Sequence, residues 1–213
     1  IYIHIPFCKS RCDYCAFYST VSADEVRHSY VQRLCEEIRE RKDFFGSSDI
    51  SSVYLGGGTP SRLSIEEIRM IFDALCHCFH IMSDAEITME VNPDDITQEY
   101  ATALREFPIN RISMGVQSFN DKLLCAIHRR HSGMEAVKSY NILRESGFGN
   151  ISIDLIYALP RQSLPLWEND LDFAVSLRPE HISAYALSFE EGTPLYKKLQ
   201  KGDIKEPEEE LYI

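Results

Sequence analysis

Residues 1–20, IYIHIPFCKSRCDYCAFYST, carry a short apolar run followed by Cys8, Cys12 and Cys15 in the spacing C-x3-C-x2-C. A closed structural zinc site takes four protein ligands, usually from two local pairs, and this stretch offers a single triplet. Position 17, where a C-x-C continuation would fall, is Phe17. Three thiolates on one tight loop can hold three irons of a cubane cluster and leave the fourth iron to an outside ligand. Catalytic zinc, which also keeps an open position, is the alternative reading of the same triplet.

The apolar run before the cysteines is the first of several. Runs at 1–5, 52–55, 86–91, 111–115, 151–156 and 181–187 predict strands, and segments of helical period predict helices over 24–42, 65–79, 98–107, 120–127, 133–146 and 166–177. Ser64 followed by Glu67 reads as a capping box, and Gly147 after Ser146 as a helix stop. Strand and helix alternating in this way predict a parallel sheet with external helices, because parallel strands need long crossovers. The result is either a doubly wound open sheet or an incomplete barrel, and the positions of the motifs favour the barrel. One domain is expected over 1–202. The stretch 203–213 is expected to open a further C-terminal region, in a chain that starts on Ile1 and stops within EPEEELYI like a piece cut from a longer protein.

The 213 residues are 44% hydrophobic, enough for a sizeable core. Lys and Arg total 22 against 33 Asp and Glu, and the net charge of -11 repels a phosphate backbone, so nucleic acid is not an expected partner. No apolar run reaches the ~18 residues of a membrane span and no signal peptide is evident, so a soluble, cytoplasmic protein is expected, with no membrane contact. Seven cysteines that do not form a disulfide framework fit a reducing compartment. Cys35, Cys76, Cys78 and Cys125 are expected to be small buried side chains.

Nearly every chemically unusual residue falls at the carboxyl end of a predicted strand, where parallel α/β folds place their ligands. After the second strand comes GGGTPS, Gly56 to Ser61, whose bare backbone can approach a ligand; its spacing matches neither a P-loop nor a dinucleotide fingerprint. Glu90 and Asn92 stand at the mouth of the third strand and Gln117 at the mouth of the fourth. HRRHS, His128 to Ser132, reads either as a carboxylate-binding cluster or as a solvated helix end. Asp154 lies within an apolar strand and needs a hydroxyl, amide or cation beside it. His4 is expected to be a satisfied strand histidine with no metal role.

Taken in order, YIHIPFCKSRCDYCAFYS, YLGGGTPS, MEVNPDD, RISMGVQSFND, DLIYALP and HISAYALSFEEGTPLY make the chain resemble the radical S-adenosylmethionine (SAM) superfamily, and within it the oxygen-independent coproporphyrinogen III oxidase-like family. The resemblance implies a partial (β/α)6 TIM-like barrel in which Cys8, Cys12 and Cys15 bind a [4Fe-4S] cluster and SAM ligates the fourth iron. It implies that Tyr2, Gly57 and Glu90 contact this SAM, and that Tyr14, Gly58, Thr59, Gln117, Arg129, Asp154 and Ala186 fall where the oxidases hold a second SAM. Those oxidases use a radical derived from SAM to convert porphyrinogen propionates to vinyl groups, and an enzyme of this kind would be a coproporphyrinogen III dehydrogenase. They resemble C-x3-C-x2-C-x-C, however, and Phe17 makes this chain more similar to the heme-chaperone (HemW) branch, which binds and transfers heme and lacks the oxidase activity. Heme as cargo, a heme-acceptor protein and an electron donor such as flavodoxin or a reductase are the partners this implies.

Overall fold

The computed structural model describes residues 1–44, 46 and 48–207; the last six residues of the expected C-terminal stretch lie outside them. Strands β1 (Tyr2–Ile5), β2 (Ile50–Gly57), β3 (Ile81–Val91), β4 (Arg111–Gln117), β5 (Ile151–Tyr157) and β6 (His181–Ala186) are all parallel and lie side by side in chain order. Helices α1 (Asp24–Glu40), α2 (Ile65–Cys78), α3 (Gln98–Leu104), α4 (Asp121–Ala126), α5 (Gly133–Glu145) and α6 (Leu164–Ser176) fill the crossovers, and α7 (Pro194–Gln200) follows β6. The strand order runs from β1 to β6 without returning to β1, so the sheet is not closed. This is the partial barrel that the motif positions favour, and each expected strand and crossover helix is present.

Register explains how the sheet divides inside from outside. On the outer face, Leu55, Met89, Ile112 and Ile151 align across four strands, and all are fully buried in one core with Ile68 and Leu75 of α2 and Leu143 of α5. On the inner face the aligned positions are polar: Thr88 beside Arg111, Glu90 beside Ser113, Ser113 beside Ser152, Ser152 beside His181, and Gly115 beside Asp154 beside Ser183. Barrel interiors are commonly filled by branched aliphatic side chains. Here the strands alternate apolar outside and polar inside, and the odd placement of Asp154 is one member of a polar row.

Local chemistry sets the helix ends. Ser64 accepts from the Glu67 amide at 3.2 Å while Glu67 accepts from the Ser64 amide at 2.8 Å, the expected capping box. Ser132 and Glu135 form a second one at the start of α5. Gly147 has φ +93°, a left-handed stop after α5 that its lack of a Cβ permits. Helix α7 was not expected, although Thr193 before Pro194 is a start signal: the threonine hydroxyl accepts from the Tyr196 amide at 3.2 Å and the proline occupies the first turn, where its missing N–H costs nothing.

Three of the four cysteines expected to be buried are not. Cys35 is buried within α1, Cys78 is half-buried, and Cys76 and Cys125 are exposed. The buried stripe of α2 runs through Ile68, Ile71, Phe72 and Leu75, which leaves Cys76 on its flank. On α4 the buried residues are Leu123 and Leu124, and Cys125 turns toward a cleft it shares with Arg11 and His128.

The segment between α4 and α5 is held in place by their two N-termini. Asp121 accepts from the Gly133 amide at 2.8 Å, and a Cβ on Gly133 would lie 2.1 Å from the Phe119 carbonyl oxygen. Gly133→Ala is therefore expected to destabilise the apo-protein by about 1–3 kcal/mol in urea unfolding, the cost of overpacking against rigid backbone. Gly149→Ala, where nothing lies within 4 Å of the new Cβ, is the control expected to leave the midpoint nearly unchanged.

Candidate functional site

The cysteine loop leaves β1 and folds back on itself. The Cys8 amide donates to Thr20 O at 2.9 Å and the Thr20 amide to Pro6 O at 2.7 Å, closing the neck, and the Cys15 amide donates to Cys12 O at 3.2 Å across the tip. All three thiols are free and half-buried. Two polar groups from the segments that follow β2 and α4 point at them: Thr59 Oγ1 lies 3.4 Å from Cys8 Sγ, and Arg129 Nη1 lies 3.5 Å from Cys12 Sγ. Phe17 projects into solvent with 70% of its surface exposed.

The glycine triplet meets this loop from β2. Gly57 has φ +116°, and a Cβ on it would lie 2.6 Å from the His4 ring; one on Gly58 would lie 2.9 Å from the Pro6 carbonyl carbon. The triplet thus packs against β1 and the neck of the cysteine loop, in addition to presenting bare backbone at the strand end. His4 is satisfied within the protein, its two ring nitrogens lying 3.0 Å from Tyr2 Oη and 2.9 Å from Tyr18 O.

Glu90 faces the triplet. Its carboxylate accepts from Tyr54 Oη at 2.7 Å and from the Gly57 amide at 3.1 Å. Tyr54 was not singled out in the sequence; its place two residues before the glycines, on the inner face, was the available signal. Burial pushes the Glu90 carboxyl above its usual range, and the Tyr54 and Gly57 bonds oppose that without cancelling it. Asp154 finds hydroxyl partners as expected, Ser113 at 2.9 Å and Ser152 at 3.4 Å, and burial likewise raises its carboxyl.

Of HRRHS, Arg129 is the residue that enters the site. It donates through Nη2 to Asn92 Oδ1 at 2.8 Å and to the Gly115 carbonyl, while its buried Nε has no partner. His131 is also buried, its Nε2 2.9 Å from Val116 O, and burial together with the Arg129 charge pushes it down to about 4, so it is neutral at ordinary pH. Arg130 pairs with Asp94 and His128 with Asp13. A solvated helix end does not describe this segment. Gln117 sits at φ 70° in a bulge of β4, beside Gly115 and Arg129, a strained conformation of the kind that gathers at ligand sites. Tyr14 packs close to Arg129 and Cys12, and burial raises its hydroxyl. Tyr2 stacks on Tyr54 at 6.1 Å and is exposed, and Ala186 is exposed at the end of β6, beside Tyr157. Hydrogen bonds link Cys8, Thr59, Asn92, Arg129 and Cys12 into one chain, while Ala186 stands apart on the edge strand.

A family model described as the Radical SAM superfamily matches residues 2–174. The chain belongs to the radical SAM superfamily. The heme chaperone HemW of Bacillus subtilis is 38% identical over 210 residues, 98% of this chain and 55% of that protein. HemW of Escherichia coli is 36% identical over 194 residues, 91% of this chain and 51% of that protein. Among solved structures, coproporphyrinogen III oxidase (HemN) from Escherichia coli, a radical SAM enzyme, is similar with a TM-score of 0.89 and 31% identity, covering 99% of this chain and 49% of that one. The chain spans about half the length of the curated relatives it matches.

Radical SAM proteins use a [4Fe-4S] cluster with SAM, and the residues present fit that pair. Among the described residues no three His, Cys, Asp or Glu side chains are placed to hold a single metal ion. A cubane takes each thiolate at a separate corner and so needs no common point among the three. The unpartnered Arg129 Nε leaves a buried donor for a polar ligand beside the thiols, while the Gly57 and Gly58 amides are already donated to Glu90 and to Ile5 O.

The raised carboxyls make stability depend on pH. A carboxyl whose folded value lies above its unfolded one contributes stability fully below the unfolded value, and that contribution is lost as pH rises through the folded value. Glu90→Gln is therefore expected to flatten the decline of apo-protein stability just above the ordinary carboxylate range, measured as thermal midpoint against pH. An unchanged pH profile would show that Glu90 is not the group responsible.

Proposed function

We propose that this chain is the radical SAM core of a heme chaperone, with Cys8, Cys12 and Cys15 holding the cluster and with SAM bound between the cluster and the Gly57–Glu90 side of the barrel. The observation that carries the reading is Phe17. In a loop otherwise complete for the family, the position of the oxidases' additional cysteine is a solvent-facing phenylalanine, and the relatives named above as heme chaperones match nearly the whole chain.

The bound cluster and SAM supply one-electron chemistry at an open iron position. The chain's own residues bind and orient. Glu90, fixed by Tyr54, presents carboxylate oxygens at the inner face, and Tyr2 offers an aromatic surface. Arg129 holds a fixed positive charge beside Cys12 and leaves Nε free to donate. Gly58, Thr59, Tyr14, Gln117 and Asp154 line the same rim as candidate contacts for a further SAM or for substrate, with Ala186 at its edge. Heme cargo, an acceptor protein, an electron donor and a cytoplasmic setting belong to this proposal. For location, the structural support is that no helix among the described residues is long and apolar enough to cross a membrane.

The second reading, oxidative decarboxylation of coproporphyrinogen III, is favoured by the likeness to HemN and by Gln117, Arg129 and Asp154, which match the oxidases' second-SAM positions. One experiment separates the two. The full-length protein is reconstituted anaerobically with iron and sulfide, and assayed for heme binding and, with reductant, SAM and coproporphyrinogen III, for 5'-deoxyadenosine and vinyl product together. Heme binding without vinyl product is expected. Vinyl product in proportion to 5'-deoxyadenosine would replace the chaperone reading with the oxidase one. In the same preparation, Cys12→Ala is expected to abolish incorporation of iron and acid-labile sulfide as a cluster.

A further inference from the structure

The cysteine loop is held from outside by a helix that lies beyond the family match. Asp13, between Cys12 and Cys15, is buried, and its amide, its carbonyl and its carboxylate each have a partner. Its amide donates to Ile127 O at 3.2 Å, and its carbonyl accepts from the Leu195 amide at 2.9 Å. Its carboxylate Oδ2 lies 2.6 Å from Lys198 Nζ and 2.7 Å from His128 Nδ1. Leu195 and Lys198 both belong to α7. Leu195 is buried in a second, smaller core with Leu123, Ile127, Ile156, Leu159 and Leu187, on which Tyr14 of the cysteine loop also packs. A seven-residue helix is marginal on propensity alone, so this docking is what holds α7 in place.

From these contacts we infer that Lys198 is a positioning residue for the cysteine loop. Through Asp13 it fixes the segment between Cys12 and Cys15 and balances the carboxylate of the residue that follows Cys12 in the chain. The inference rests on the reading of the three cysteines as cluster ligands. Reduction adds negative charge, and a cluster's potential responds to the charge and hydrogen bonding around its sulfurs. The carboxylate adjoining Cys12 in the chain opposes that electron, and Lys198, its fixed cationic partner beside His128, offsets it. With over a third of the Lys198 side chain exposed, the pair adds little to fold stability. Its effect belongs in the potential.

The test uses the full-length, cluster-loaded protein, with redox titration followed by the electron paramagnetic resonance of the reduced cluster, alongside iron content and thermal midpoint. Lys198→Met keeps the aliphatic stem and removes the charge. It is expected to move the cluster to a more negative potential, so that the reduced fraction at a fixed poise falls several-fold, with iron content and thermal midpoint close to those of the parent. Lys198→Arg is expected to restore the parent potential, and adding Asp13→Asn to Lys198→Met to bring it back by removing the unbalanced charge. A parent potential and spectrum in Lys198→Met would overturn the inference, as would a shift that Asp13→Asn does not reverse. Should Lys198→Met take up no cluster, Asp13→Asn alone decides: a more positive potential supports the pairing and an unchanged one overturns it. If the parent protein itself forms no cluster, the ligand reading has failed, and the inference falls with it.

Discussion

Parallel pairing in strict chain order is the constraint on which the rest of this structure depends. When every strand runs the same way and neighbours in sequence are neighbours in space, every strand ends on the same rim. The cysteine loop follows β1, the glycine triplet closes β2, Asn92 follows β3, and Gln117 ends β4. Residues more than a hundred positions apart, such as Cys12 and Arg129, meet because the topology leaves their loops on one rim. The helices are needed for the same reason, since each must return the chain to the starting edge before the next strand begins.

Much of this was legible in the sequence. Short β-branched runs alternating with helical period announce a parallel sheet, and the sheet is parallel throughout. Asp154, a carboxylate in an apolar run, demanded hydroxyl or cationic partners and has Ser113 and Ser152. What was not legible depends on register. Ser113, Ser152 and His181 are unremarkable one at a time, and become one polar surface only when the strands are aligned. Tyr54 is of the same kind, since its role follows from Glu90 lying across from it on the neighbouring strand.

Exposure of the cysteines was misjudged for a similar reason. Cysteine's average preference for the interior says nothing about which side of a particular helix faces the sheet. Cys76 flanks the buried stripe of α2, and Cys125 faces a cleft. Helix α7 escaped because seven residues hold too little periodicity to register. Its real determinants, Leu195 in the second core and Lys198 on Asp13, are contacts with residues far away in sequence.

The polar lining of the barrel bears on how the fold responds to temperature. Unfolding exposes the outer apolar face of the sheet, which raises the heat capacity, and at the same time the inner serines, threonine, carboxylates and arginine, which lower it. Where an aliphatic interior would add to the heat-capacity increment, this one subtracts. The curve of stability against temperature is accordingly shallower than for a barrel of equal length filled with valine and isoleucine, and the core gives up less of its stability on cooling.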